Sequence, residues 1–366
     1  MERRSIMLII TQRCNLSCVY CYEHNKTSAQ MSFATAKAIL DKELVDEDTR
    51  YSIDLFGGEP LQNFPLIQKI YDYLIHFPNQ KIRNNTLIFA TTNGTLINDE
   101  NKQWFRDRKD KVILGLSLDG TRTAHNLNRN NSFDLIDLDF FLKTYPKQKV
   151  KMTVSELSLP HMAESIVFLQ EKGFVVTANL AYMIDWSNKG ISNILEEQLS
   201  KLIEYYLEHP NVHRIKMLDF DIASLSYPKE KDDVFYKYCG AGTGLVCYDV
   251  DGKAYPCQLF SKFVAGDKAI PLEEFKYGKK ISKVSLCDKC RDCYYQRICS
   301  SCMGSNYLST NNCFIPDENR CILYKKMFKA CAKLKALEWE KGILKLDKSE
   351  EQALLRSIAQ IQKEEG

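Results

Sequence analysis

The chain reads as an α/β protein: a partial (β/α)6 barrel followed by a small cysteine-rich C-terminal domain, and then a C-terminal helix. Three observations carry that expectation. Short apolar runs alternate with amphipathic stretches six times before residue 190. The early apolar runs end at once in turn-forming or thiol-bearing motifs. The 14 cysteines fall in two fields, three within 14–21 and eleven after residue 238, with none between Cys21 and Cys239.

The elements follow in order. Residues 6–11 form a buried strand, and Ser32 can cap a helix over 34–45, with Ala36, Ile39, Leu40 and Leu44 at helical spacing. A strand over 51–56 breaks at Gly57-Gly58, and a helix over 65–76 is closed by Pro78. A strand over 87–91 precedes Asn93-Gly94. A helix over 99–107 leads to a strand over 112–118 that stops at Asp119-Gly120. A helix over 133–144, a strand over 150–155, a helix over 161–172 ended by Gly173 and a strand over 174–181 complete the set. Repeated βα units with short connections imply a parallel sheet with right-handed crossovers, and six fall short of a closed eight-stranded barrel. In such sheets the chemistry sits at the C-terminal ends of strands, which is where the motifs lie.

Residues 191–208 read as a bridging helix. Residues 236–321 lack long periodic segments, as in small domains where metal ligation replaces part of a core. The Asp251-Gly252 turn with apolar flanks reads as a β-hairpin. A helical pattern follows over 321–345, and residues 349–366 read as a solvated or frayed helix. The resulting division is 1–188 barrel, 189–235 bridge and linker, 236–330 cysteine-rich domain, and 331–366 C-terminal helix and tail.

Composition excludes little. With 50 basic against 47 acidic residues the net charge is +3, which supports no polyanionic partner and so no nucleic acid. No apolar run is long enough to cross a bilayer, and none resembles a signal-peptide core, so the expected setting is cytoplasmic with no membrane partner. In a reducing compartment 14 cysteines imply metal rather than disulfides.

The first field, Cys14-x3-Cys18-x2-Cys21, is too dense and too polar in its surroundings for three packing thiols. Structural zinc takes four ligands, and His24 is the lone nearby candidate for a fourth. A four-iron cubane on three thiolates leaves one iron open to a small chelating molecule. With Tyr20 before the last cysteine, this motif resembles that of the radical S-adenosylmethionine (SAM) enzymes. Gly57-Gly58-Glu59-Pro60, Thr92-Asn93-Gly94-Thr95 and Ser117-Leu118-Asp119-Gly120 match in order, over residues 5–185. The resemblance implies a [4Fe-4S] cluster on Cys14, Cys18 and Cys21. It implies SAM held by Tyr20, Gly57, Gly58, Glu59, Asn93, Ser117, Asp119 and Arg129. It also implies reductive cleavage of SAM to a 5′-deoxyadenosyl radical that removes hydrogen from an unactivated carbon. Gly57 and Gly58 let backbone approach a ligand ammonium, Glu59 can accept from that group or a ribose, and Ser117 can donate to the methionine carboxylate. Asp119 binds ribose or only starts the turn. On the sequence alone Arg129 reads as a surface residue, although it can neutralise the carboxylate.

The second field, Cys239, Cys247, Cys257, Cys287, Cys290, Cys293, Cys299, Cys302, Cys313, Cys321 and Cys331, resembles the SPASM extension of peptide- and protein-modifying radical SAM enzymes. That pattern is a hairpin flanked by cysteines, then Cys-x2-Cys-x5-Cys-x3-Cys; here the last interval, Cys299 to Cys302, is one residue shorter. It implies two auxiliary [4Fe-4S] clusters, the first on Cys239, Cys247, Cys257 and Cys302, the second on Cys290, Cys293, Cys299 and Cys321. Cys287 and Cys313 are surplus and can displace a ligand, and Cys331 reads as packing. Sulfatase maturases share the architecture but carry an aspartate directly after the hairpin's second cysteine, where this chain has Gln258, which cannot accept a proton as a carboxylate does. The expected activity is therefore modification of a ribosomally made precursor peptide by a crosslink or another carbon-centred change. The alternatives are a sulfatase-maturase-like side-chain oxidase and, from another class, a non-catalytic iron–sulfur or zinc scaffold. The expected partners are the peptide and an electron donor such as flavodoxin or ferredoxin. Only five residues precede the first strand, so any leader recognition is expected from a separate protein, the barrel or the tail. No catalytic acid or relay stands out among Asp185, Asp219, Asp221 and Tyr238.

Overall fold

A computed structural model of the protein describes residues 2–188, 190–227, 234–282 and 285–364. The strands are β1 (Arg3–Thr11), β2 (Arg50–Gly57), β3 (Thr86–Thr92), β4 (Val112–Leu116), β5 (Lys149–Val154), β6 (Val175–Leu180), β7 (Val234–Tyr236), β8 (Leu245–Tyr248), β9 (Ala254–Tyr255) and β10 (Lys280–Ser282). The fold is mixed α/β with a parallel sheet and a cysteine-rich C-terminal region, as expected. The chain divides into two compact units. The first comprises Met1–Leu118, His125–Lys151 and Cys239–Lys279, and the second Asp119–Ala124, Met152–Tyr238 and Lys280–Gly366. These units cut across the four-segment division drawn from the sequence.

In the first unit β1 to β4 lie parallel in chain order, and the sheet runs β4-β3-β2-β1-β8-β9. Alternation builds it. Ile6, Leu8 and Ile10 of β1, Ile53 and Leu55 of β2, Ile88 and Ala90 of β3, and Leu114 and Leu116 of β4 are all buried, while the residues between them on β1 to β3 are mostly half-exposed. Each large side chain so buried contributes about 1.5–3 kcal/mol. The helix Phe33–Glu43 starts where expected, because Ser32 Oγ accepts from Thr35 N–H. The helix Phe64–Ile75 buries Leu66, Ile67, Ile70 and Leu74, and Asn98 with Asn101 closes a capping box on Asp99–Asp107. A parallel bridge, Ser117 to Lys151, extends the order to β5.

The hairpin around Asp251-Gly252 forms as expected, with Cys247 opposite Tyr255 and Gly252 at φ +85°. Its first strand, however, lies parallel to β1, pairing Ser5 with Leu245 and Met7 with Cys247. Polar ties fix it there: Ser5 N–H to Gly244 O at 2.7 Å, Gln12 Nε2 to Asp249 Oδ1 at 3.0 Å, and Tyr248 OH to Glu43 Oε1 at 2.5 Å. The strand occupies a β1 edge whose backbone groups need partners.

The expected single helix over 133–144 is instead a 3₁₀ turn, Phe133–Leu135, and a helix, Leu138–Thr144. Asp137 divides them because its Oδ1 caps Phe140 N–H at 3.0 Å. A helix the sequence reading missed, Arg122–Asn128, precedes Arg129.

In the second unit β7 and β10 pair antiparallel. The helix Ile191–Glu208 buries Leu195, Leu199, Leu202 and Tyr206, and the helix Glu318–Glu340 buries Leu323, Met327, Phe328 and Leu334. Arg214 Nε donates to the buried Glu338 at 2.7 Å. Cys331 packs in the core of this helix, as expected. The tail is a helix, as expected, with a solvated outer face, but it is not frayed: Lys348–Lys363 carries a capping box from Asp347 and Glu350 and buries Ala353, Leu354 and Ile361. Those residues stand at helical spacing along a polar sequence and supply the packed face. No helix among the described residues is long and apolar enough to cross a membrane.

Candidate functional site

The first cysteine field lies on the loop after β1, and hydrogen bonds clamp that loop on each side. Gln12 N–H donates to Ala29 O at 2.9 Å, Ser17 N–H to Asn130 Oδ1 at 2.8 Å, and Val19 N–H to Asn128 O at 3.0 Å. Cys21 N–H closes a turn onto Cys18 O at 3.0 Å. The thiols of Cys14, Cys18 and Cys21 are all half-buried. Burial pushes the Cys14 thiol up to about 11. Lys26 faces this group. Burial acts to lower its pKa, but the Cys21 and Cys14 sulfurs and Glu23 outweigh that and raise it. Burial also lifts the Glu23 carboxyl to about 8, beside Lys26 Nζ at 3.9 Å. A cavity of about 380 Å³ beside the loop is lined by Gln12, Arg13, Cys14, Lys26, Thr27, Ser28 and Gln62.

The glycines after β2 make a close approach, but to the cysteine loop. A Cβ on Gly57, at φ +145°, would lie 2.0 Å from Thr11 O, and one on Gly58 would lie 2.3 Å from Arg13 O and 2.9 Å from Cys14 Cβ. Glu59 follows, only 1% exposed. Its Oε1 accepts from Leu61 N–H at 3.1 Å and Thr92 Oγ1 at 2.7 Å, and its Oε2 from Asn93 N–H at 2.7 Å. Burial raises its pKa, against the pull of these donors and Arg129. Glu59 thus ties the end of β2 to the end of β3. Asn93 continues the tie to the cysteine loop, donating to Asn15 Oδ1 at 2.9 Å, while Asn15 Nδ2 donates to Thr95 Oγ1 at 2.8 Å. Ser117 N–H donates to Thr92 O at 2.9 Å. Arg129 is not a surface residue. It is 7% exposed and lies over the Tyr20 ring at 5.3 Å, because the unforeseen helix Arg122–Asn128 carries it inward. Tyr20, Gly57, Gly58, Glu59, Asn93, Ser117 and Arg129 all belong to the first unit, as do the three cysteines. Asp119 belongs to the second. It is fully buried, and its Oδ1 accepts from Thr153 N–H at 2.9 Å.

Of the later cysteines, the first unit holds exposed Cys239 and buried Cys247 and Cys257. Burial, then the neighbouring Cys257, drives the Cys247 thiol well above its ordinary value. In the second unit five thiols interact: Cys290 with Cys287, Cys299 and Cys321, and Cys321 with Cys293 and Cys287. Burial lifts Cys290 to about 12 and Cys299 to about 11. Cys302 faces Cys313. Among the described residues no three His, Cys, Asp or Glu side chains are gathered closely enough to hold a single metal ion. A cluster is larger than an ion and spreads its thiolates over its corners, so these groups stay open to one. Of the candidate acids, Asp185 caps Ser187 N–H, Asp221 precedes a 3₁₀ turn, and exposed Tyr238 lies under Lys216.

The family model of the radical SAM superfamily matches residues 8–137, the span that holds every motif of the first site. Residues 8–137 form a radical SAM domain. The enzyme is 34% identical over 171 residues to an uncharacterized protein of Methanocaldococcus jannaschii, covering 45% of this chain and 58% of that protein. It is 24% identical over 327 residues to a cysteine-type anaerobic sulfatase-maturating enzyme of Clostridium perfringens, covering 78% and 84%. A solved structure of native anSMEcpe with bound AdoMet and Cp18Cys peptide shares its fold, with TM-score 0.68 and 19% identity over 93% of this chain and 99% of that one. Enzymes of this superfamily use a [4Fe-4S] cluster and SAM. The residues fit that pair: three soft, half-buried thiols on one clamped loop, with the half-buried Lys26 cation beside them. The cysteine-rich C-terminal region is consistent with auxiliary clusters.

Proposed function

We propose that this enzyme is a peptide maturase that cleaves SAM reductively and installs a carbon-centred modification, such as a crosslink, on a ribosomally made peptide. The observation that carries the reading is the clamped Cys14–Cys18–Cys21 loop, packed on Gly58 and tied through Asn15 and Asn93 to the strand ends. When bound, the cluster and SAM supply a radical able to take hydrogen from an unactivated carbon. Cys14, Cys18 and Cys21 hold the cluster, and Lys26 balances its thiolates. Arg129 is the proposed partner of the SAM carboxylate, and Tyr20, which it overlies, steadies it through a cation–π contact. Ser117, Asn93 and the backbone at Gly57 and Gly58 line the ligand. Glu59 acts as a tie, holding Asn93 in position. Asp119 keeps its proposed ribose contact or serves only β5. The proposed auxiliary ligands are Cys239, Cys247, Cys257 and Cys302, and Cys290, Cys293, Cys299 and Cys321. Residues 1–188 form the proposed radical SAM barrel, 189–235 the bridge and linker, 236–330 the auxiliary domain, and 331–366 the C-terminal helix. The proposed setting is cytoplasmic, with a flavodoxin- or ferredoxin-like electron donor.

A sulfatase-maturase-like side-chain oxidation is the second reading, favoured by the similarity to the Clostridium perfringens enzyme over 84% of its length. Gln258 speaks against it, since it offers no carboxylate after Cys257. Reconstituted enzyme should form 5′-deoxyadenosine from SAM under a strong reductant, and Cys18→Ala should not. Co-expression with any small peptide found encoded beside its gene, read by mass spectrometry, separates the readings. A crosslinked or otherwise carbon-modified peptide supports maturation, and a formylglycine made only on a sulfatase peptide overturns it. Absence of SAM cleavage by the intact enzyme leaves only the scaffold.

A further inference from the structure

The face of the β1–β3 sheet opposite its buried set carries a charge pair that nothing above employs. Asp54 and Ser52 of β2 stand on it, half-exposed, with Ser5 of β1. Ser5 Oγ donates to Asp54 Oδ2 at 2.5 Å, and Ser52 Oγ donates to the same Oδ2 at 3.0 Å, so both hydroxyls reach one oxygen. Lys151 of β5 reaches the same face, where its Nζ donates to Thr91 Oγ1 at 2.7 Å. Gly115 presents no side chain there, and a Cβ on it would sit in ordinary contact with Gln148 Nε2 at 3.4 Å and Thr91 Oγ1 at 3.6 Å. Lys151 is reachable by water yet hemmed in, and desolvation lowers its pKa although Asp54 attracts it. No ion pair closes between the two among the described residues. Phe56 and Phe89, half-exposed on this face, flank Asp54. All these residues belong to the first unit, and Asp54 lies three residues before Gly57 on the same strand.

A pair of opposite charges that do not meet selects by dipole. A carboxylate would be drawn to Lys151 and repelled by Asp54, and an ammonium the reverse. A neutral amide satisfies both at once, with its carbonyl toward the cation and its N–H toward the carboxylate. We propose that Asp54 and Lys151 form a subsite for a peptide bond of the substrate, Lys151 Nζ donating to its carbonyl and Asp54 Oδ1 accepting from its N–H. This rests on the peptide-maturase reading above. It makes the two residues positioning groups that hold the backbone beside the apolar wall of Phe56 and Phe89.

The test titrates anaerobically reconstituted holoenzyme, with SAM present, with two probes by calorimetry: acetyl-alanyl-alanine amide, and the same dipeptide as its C-terminal acid. The neutral amide should saturate at concentrations up to about 10 mM. Lys151→Met and Asp54→Asn should each weaken it about tenfold. Lys151→Gln, which keeps an N–H donor, should recover part of that loss, and the acid should bind more weakly than the amide and gain on Asp54→Asn. Circular dichroism melting checks that each variant is folded. Failure of the amide to saturate the wild type overturns the proposal, as does preference for the acid. A raised KM for SAM with unchanged probe affinity also overturns it and assigns Lys151 to the cofactor. Formation of 5′-deoxyadenosine, measured without probe on the same wild-type preparation, keeps the two ideas separate. If SAM is cleaved but the probe does not bind, only the subsite falls. If SAM is not cleaved, the proposed function falls, and the titration still decides whether an amide is held.

Discussion

Replacing Glu59 distinguishes a tie between strands from a ligand contact. The carboxylate is 1% exposed and accepts three hydrogen bonds, from Leu61 N–H, Thr92 Oγ1 and Asn93 N–H, at 3.1, 2.7 and 2.7 Å. Glu59→Gln can keep its oxygen toward Leu61 and Thr92, but it then turns an NH2 group at the Asn93 N–H. One buried donor loses its acceptor, which costs about 1–3 kcal/mol. Glu59→Ala removes all three acceptors and leaves a void. Three charged bonds taken singly would sum to more, but neighbours in one network are not additive, so the expected cost is about 3–5 kcal/mol. The assay is urea unfolding of the anaerobic holoenzyme, with the slope checked for constancy so that the midpoint reports stability. In the folded variants the KM for SAM should move through Asn93, more in the alanine variant than in the glutamine one. If Glu59→Ala costs less than about 0.5 kcal/mol while the KM for SAM rises steeply, Glu59 is a ligand group and the tie is refuted.

Other outcomes follow from the same geometry. Arg129→Met removes the buried cation over Tyr20 and should raise the KM for SAM about tenfold or more in a 5′-deoxyadenosine assay; an unchanged KM removes Arg129 from the site. Leu354→Ala in the C-terminal helix deletes a 2%-exposed side chain and should cost about 2–5 kcal/mol in urea unfolding, whereas a frayed tail would lose nothing. Lys151 has its pKa lowered by burial below 10.5, so the unfolded chain holds its proton more tightly than the folded one. Stability of the wild type relative to Lys151→Met should therefore rise as pH climbs from that lowered value to 10.5, and a flat difference across the window excludes the burial cost.

Much of this was legible because period and punctuation agree. Ile6, Leu8 and Ile10 alternate, as do Ile53 and Leu55, and each strand ends in a motif that serves the rim. The cysteine triplet gave the first site, since few other arrangements place three thiols on one loop. What stayed hidden was tertiary. The burial of Arg129 depends on a seven-residue helix whose sequence, Arg-Thr-Ala-His-Asn-Leu-Asn, has almost no apolar periodicity. The approach of Gly58 to Cys14, the three donors on Glu59 and the pairing of β8 with β1 join residues from separate elements, and no local pattern encodes them. The packed face of the tail helix was missed because its apolar residues are sparse and their packing partners lie elsewhere in the chain. Asp54 and Lys151 read as ordinary polar strand residues, and only the register places them on one face.

The cysteines of the second unit support one further expectation. Cys287, Cys290, Cys293, Cys299 and Cys321 are linked in one group, each acting on at least two of the others, yet a cubane takes four thiolates. The matched spacing nominates Cys290, Cys293, Cys299 and Cys321, while the structure sets Cys287 in direct contact with Cys290. Intact enzyme with three cubanes should carry roughly twelve irons, and serine at any one true ligand should lower that toward roughly eight. A cysteine that is only a neighbour should leave the count near twelve. Iron analysis of the five single serine variants thus ranks them directly. If Cys287→Ser loses iron and Cys290→Ser does not, the spacing has misassigned one corner. If the wild type instead holds about four irons with stoichiometric zinc, the thiols close tetrahedral sites of the kind zinc prefers, and the auxiliary clusters are excluded whatever the fold resembles.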